Sequence, residues 1–367
     1  MSPSDAPRRA RSLAIAVIVA IFALGMPAGA VANGAVVLAW GENAMSQLGG
    51  AAPTESSIPI AVEGVSGVSA VAAGGKHSMA LLSNGTVVGW GGDGFGELGN
   101  GSTRQRVPVP VPVKGLSNVA AIAAGHKFSL ALLGNGTVMS WGNDQYGKLG
   151  DGTTGVKSSV PVQVRGLSGV TAISAGFFHS LALLRNGAVM AWGNGDYGEL
   201  GNGATVDSNV PVPVSGLTGV KQISAGGIHS LALLSDGSVW SWGGDEYGQL
   251  GLGERVTHRT NVPVRVVGLS GVKAIAAGMF YNLALLGNGT VMAWGYDHSD
   301  GLADLRPHGA PVQVQGLTGV KAISAGGFHS LAIRPLRRVA GGVYSAIGAA
   351  SWAIGANAAS PVSIAGG

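Results

Sequence analysis

The chain contains no cysteine. That excludes disulfides, thiolate catalysis, Cys-ligated zinc and a lipoprotein anchor, and it leaves the redox compartment open. Charge is scarce as well: 11% of the 367 residues are Asp, Glu, Lys or Arg. Disordered chains combine low hydrophobicity with high net charge, whereas this one is 46% hydrophobic, so disorder is excluded. The small positive net charge belongs to the ends. Arg8, Arg9 and Arg11 stand near the start, and Arg334, Arg337 and Arg338 near the finish. The body between them is almost balanced. A nucleic-acid binder concentrates positive charge to displace counterions, so nucleic acid is not the expected partner.

Glycine is what the chain has in excess, 64 residues set among many short apolar runs. That combination indicates an all-β protein rich in tight turns. At the start, RRAR at 8–11 precedes the apolar run LAIAVIVAIFAL at 13–24 and the small residues of 28–32. This is the layout of a cleavable export signal, with cleavage expected after Ala32. The apolar run is shorter than the roughly 20 residues a membrane-spanning helix needs, so no span is expected after cleavage. The expected location is outside the cell or on its envelope.

Internal repeats decide the fold. Trp-Gly recurs at Trp40, Trp90, Trp141, Trp192, Trp242 and Trp294. Ala-Gly recurs with its glycine at Gly74, Gly125, Gly176, Gly226, Gly278 and Gly326. A third motif, PVxVxGLxGV, begins at Pro59, Pro110, Pro161, Pro211, Pro263 and Pro311. All three share a period near fifty residues. Within one period, PVQVRGL alternates, VTAISAG and HSLALL are apolar runs, and Asn186-Gly187 leads into AVMAWG. Asn-Gly between two such runs is a hairpin signal, because both residues tolerate positive φ. Four short strands per period predict a propeller blade rather than a coil of a β-solenoid. After Ala32 the chain opens with the second half of a unit, and its last clear motif ends as a first half at Ile333. The two halves predict a clasp that closes a ring of six blades over 33–333. The Gly/Ala-rich tail, 334–367, carries worn copies of two motifs, YSAIG and SPVSIAG. It reads as a degenerate half-repeat and leaves a seventh blade open.

The unit AGxxHSLALxxNGxVxxWGxNxYGxLGxG resembles the repeat of the regulator of chromosome condensation family, over about residues 33–333. The resemblance implies a β-propeller, often seven-bladed, closed by such a clasp. It also implies a rigid ring that presents one face to a protein. Members include exchange factors for the GTPase Ran, plant ultraviolet receptors and secreted bacterial inhibitors of β-lactamases. The exchange factors are nuclear and use an inserted wedge, for which repeats this regular leave no room. An exchange role would therefore be analogy alone.

Several residues invite chemistry. His77-Ser78, His179-Ser180, His229-Ser230 and His329-Ser330 suggest nucleophile and base. Neighbours on a strand point to opposite faces, so the pairs read as blade structure. No His-x-His or His/carboxylate spacing indicates a metal, and no cofactor is expected. Asp93, Asp144, Asp196, Asp245 and Asp297 follow each Trp-Gly and read as turn-bonding acids. Only the fifth unit departs from the pattern, at Tyr296–Asp300, which leaves a secreted hydrolase or lyase near 296–304 as one alternative. A structural role in the cell envelope is another.

The three positions after each Ala-Gly vary while their flanks repeat. Five of the chain's seven Phe fall there. In a propeller these loops gather on one face, so Lys76, Lys127, Phe128, Phe177, Phe178, Ile228, Met279, Phe280, Tyr281 and Phe328 form the expected protein-binding patch. The competing reading packs these rings between blades. The expectation is thus a monomeric, secreted, non-catalytic binding module.

Overall fold

The computed structural model describes residues 36–50, 53–253, 259–296, 307–327 and 329–334. The segments expected to form an export signal, 1–32, and a degenerate half-repeat, 334–367, lie outside these residues except for Arg334. Five complete four-stranded antiparallel sheets follow one another along the chain, with a two-stranded sheet at each end. The third blade shows the plan: an inner strand Val170–Ala175, a second strand His179–Leu184, a third strand Val189–Gly193 and an outer strand Ser208–Pro213. The second and third strands pair without a break from His179↔Gly193 to Leu183↔Val189. The predicted hairpin joins them. Asn186 Oδ1 accepts from Ala188 N at 3.0 Å, and Gly187 takes φ 82°.

The burial pattern explains the sequence pattern. The second strand is covered on both faces, so HSLALL is continuously apolar. The outer strand is partly open to solvent, most so at Val210 and Pro213, and carries Pro, which withholds donors from a would-be partner strand. The cores lie between blades. Phe128, Leu130 and Val138 of the second blade pack with Val170, Ile173 and Trp192 of the third. Trp90, Trp141, Trp192, Trp242 and Trp294 are each fully buried at such a seam. Every one donates its indole N–H to a main-chain carbonyl of the preceding unit, as Trp192 does to Lys148 at 2.9 Å.

Inner strands from all five blades, together with Ala322–Ala325, line one central cavity of about 210 Å³ walled mostly by Ala, Ser and Gly. The six units therefore surround a common axis. The expected clasp is not among the described strand pairings: Leu38–Glu42 pairs with Glu55–Ala61, and Ala322–Ala325 with Ser330–Ile333, as separate sheets. Trp40 is only half-buried, and Ile333 is 40% exposed where Leu183 is 5% exposed. In a complete blade a two-residue turn templates the ladder between second and third strands. The two half-blades have no such turn between them.

Candidate protein-binding face

The loop after each Ala-Gly is shaped by its third residue. A methyl group on Gly176 would stand 2.9 Å from His179 Cε1 and 2.6 Å from the Gly226 carbonyl. Only glycine leaves room for the ring that follows three residues on. That ring points between blades. His77 Nε2 lies 2.8 Å from Ser129 Oγ, and His179 Nε2 lies 2.8 Å from Ser230 Oγ. His229 Nε2 lies 2.6 Å from Asn282 Oδ1.

Each Ser is itself a donor, Ser129 to the Glu97 carbonyl and Ser230 to that of Glu199, both at 2.9 Å. The imidazole must therefore donate through Nε2, leaving Nδ1 buried and bare. Burial holds His77 and His179 at a pKa of about 3, so both are neutral at pH 7. These His and Ser side chains are bonds between blades. Among the described residues, no His bonds the Ser beside it in the chain.

This corrects part of the expected patch. Phe128 and Tyr281 take the third position in the second and fifth blades, and they are 0% and 1% exposed. Ile228 is also buried, against Gly244. A planar ring fills the seam at the third position, so Phe128 and Tyr281 belong to the core, whereas Ile228, at the second position, is covered by its packing against Gly244. Phe328 lies outside the described residues.

Lys76, Lys127, Phe177, Phe178, Met279 and Phe280 are half-exposed on the loop face. Phe177, Phe178 and Phe280 form two aromatic groups with residues that the sequence pattern does not single out. In the first group His126 stacks on Phe177 at 5.1 Å, and Phe178 meets Tyr146 edge-on at 5.9 Å. In the second group Tyr247 lies 4.9 Å from Phe280 and 5.3 Å from Tyr296. Lys127 Nζ sits 4.7 Å above the Phe95 ring. Phe95, Tyr146 and Tyr247 come from the YGxLG loops. Those loops open at the same end of the blade as the Ala-Gly loops, so the repeat itself held the clue.

Beneath the aromatics lie buried polar residues at the variable position of YGxLG. Gln47, Lys148, Glu199 and Gln249 are at most 1% exposed. Lys148 donates to the His126 carbonyl at 3.1 Å and lies 5.0 Å from the Phe128 ring. Burial pulls its pKa down to about 7, helped by Lys127. Burial likewise holds His126 at about 4, with Lys148, Lys127 and Lys76 adding repulsion.

Asp93, Asp144 and Asp245 bond their own turns as expected, each accepting from a Leu N–H five residues on. Asp196 does not. Gly195 takes that place in the third blade, and Asp207 accepts from its N–H at 3.0 Å. Of the fifth-unit segment 296–304, only Tyr296 is described.

Six units round one axis, with half-exposed aromatic loops at one end, define a β-propeller that offers a face for binding. A family model described as RCC1-like domain matches residues 2–337, and the chain belongs to that family. It is 35% identical over 209 residues to human E3 ubiquitin-protein ligase HERC2, covering 54% of this chain and 4% of that protein. It is 33% identical over 185 residues to the Arabidopsis thaliana ultraviolet-B receptor UVR8, covering 48% of this chain and 42% of the receptor. The chain thus spans less than half the length of either relative. Yeast RCC1 (Prp20), solved bound to Kap60, superposes with a TM-score of 0.71 at 25% identity, over 81% of this chain and 76% of that one. Human WBSCR16 shares the fold, with a TM-score of 0.73 at 24% identity over 82% of each chain.

Proposed function

We propose that this protein is an exported, non-catalytic propeller that binds another protein through its Ala-Gly loop face. One observation carries the reading. The third loop position is consumed by the seams, whereas the first two vary between blades and, in the third and fifth, expose Phe177, Phe178 and Phe280 in part. Half-exposed aromatics are the composition of an interface centre, and the flanking Lys residues suit its polar rim. Yeast Prp20, a relative in fold, is known in complex with Kap60. That precedent supports a protein as the partner class.

The test is a double variant, Phe178→Ala with Phe280→Ala, which strips one ring from each aromatic group. Mature protein carrying a photo-crosslinker at Phe177 is incubated with culture supernatant and envelope extract. The parent is expected to give a discrete crosslinked partner, and the double variant to weaken its capture at least about 100-fold, since interface hot spots are worth ~2 kcal/mol or more each. The melting temperature should change little, because both rings are half-exposed. A large fall in melting temperature with capture intact would place both rings in the core and end the proposal.

A further inference from the structure

The near balance of charge along the chain conceals a separation in space. The Asn-Gly turns and the GLxGV turns meet at the end of the ring opposite the Ala-Gly loops. Val119 N donates to the Gly85 carbonyl at 3.0 Å, Arg185 N to that of Gly169 at 2.9 Å, and Val320 N to that of Gly289 at 3.1 Å.

Lys221, Lys273 and Lys321 stand at the start of three successive inner segments, on one side of the ring at this end, and all are exposed; Ser69, Ala120 and Thr171 hold the matching positions in the first three blades. The Lys273 side chain lies against Gly287, beside the next Asn-Gly turn. Arg185 adds charge one residue before its own Asn-Gly turn, and Arg265 adds it at the end of an outer strand; both are exposed. Among the described residues, Glu63 and Asp236 are the acids at this end, and Asp236 is close enough to Arg265 to feel its charge. Asp93, Glu97, Asp144, Glu199 and Asp245 all lie in loops at the opposite end.

We infer that the Asn-Gly face is a basic docking surface for the anionic surface of a lipid bilayer, held parallel to the ring. Charge complementarity selects an anion, and the shape of the face selects its kind. Turns of the same short design end each of the five complete blades, so among the described residues no helix or ribbon projects here to enter a nucleic-acid groove. The Lys residues lie at the rim of three neighbouring units, and none of them lines the central cavity. Lys and Arg near an anionic bilayer each strengthen binding about five-fold, and the effect is screened by salt. Trp240, half-buried and opposite Arg265, adds an amphipathic ring at the edge of this face, a residue type suited to the headgroup region. A propeller docked in this way would turn its aromatic loops outward.

The experiment is co-sedimentation of the full chain with vesicles of phosphatidylglycerol and phosphatidylcholine, and with vesicles of phosphatidylcholine alone. The second arm removes any contribution from the apolar leader. Lys221→Glu with Lys273→Glu is compared with Arg104→Glu with Lys157→Glu, which changes net charge equally in loops at the other end. The expected result is binding to the anionic vesicles that is lost near about 1 M salt. The first pair should weaken it at least ten-fold, and the second less than two-fold. If the first pair fails to fold, Arg185→Glu with Lys321→Glu replaces it. Equal loss in both pairs, no loss in either, equal binding to neutral vesicles, or a preference for duplex DNA over anionic vesicles would each overturn the inference.

Discussion

Trp192→Ala is expected to destabilise the ring by about 3–5 kcal/mol, the usual range for removing a fully buried large aromatic. The side chain closes the seam between the second and third blades, packed with Phe128, Leu130 and Val170. Gly150 takes φ 70°, and a methyl group placed there would stand 2.7 Å from the Trp192 indole nitrogen, so neither neighbour has slack to fill a void. The Lys148 carbonyl would keep only the Ser180 hydroxyl, at 3.2 Å.

Trp192→Phe should cost less, about 1–2 kcal/mol, because it keeps most of the apolar volume and loses one hydrogen bond. Urea unfolding followed by circular dichroism measures both. Hydrogen exchange should report the damage first in the second strands of these two blades, since repeat units contact only their neighbours. An unchanged midpoint for the Ala variant would show that the seam does not depend on the indole.

Glu199→Gln is expected to stabilise the protein, by an amount that grows with pH. Glu199 is fully buried. Oε2 accepts from Tyr197 N at 2.9 Å, while Oε1 has no partner. Burial pushes its pKa up to about 8 from 4.5. Between pH 4.5 and 8 the folded chain therefore holds a proton that the unfolded chain has released. Stability is full below 4.5 and drains away as pH climbs towards 8, at up to about 1.4 kcal/mol per pH unit. Glutamine removes that slope. It also fits, because Gln47 and Gln249 accept in the same way from the N–H two residues earlier, each at 2.8 Å.

Lys148 carries the opposite sign. Its pKa of about 7 lies below the usual 10.5, so the unfolded chain binds the extra proton between those values and stability rises with pH there. Melting temperature against pH for the parent, Glu199→Gln and Lys148→Gln separates the two. A parent profile whose shape matches both variants would refute the assignment.

Much of the site was legible in the sequence for one reason and hidden for another. The Ala-Gly loops announced themselves because their residues vary inside a fixed frame. Variation alone could not tell the third position from the first two. His, Phe, His, His and Tyr there share a planar ring, which is the mark of a seam with constant shape, and Phe128 and Tyr281 were read as exposed because their chemistry differs. The YGxLG aromatics were passed over as turn residues. Their proximity to Phe178 and Phe280 arises between units roughly thirty residues apart, where no local pattern reports it.

The sequence alone determined the blade: its four strands, its Asn-Gly turn and the tryptophan at each seam. Alternation, turn preference and the need to bury an indole act within a single repeat. Tertiary structure decided which end of each blade a side chain reaches and which charges share a face. Those are properties of residues about fifty positions apart, brought side by side only when the blades stack round an axis. A chain that is nearly neutral when counted along its length thus becomes one with a basic end and an acid-rich end.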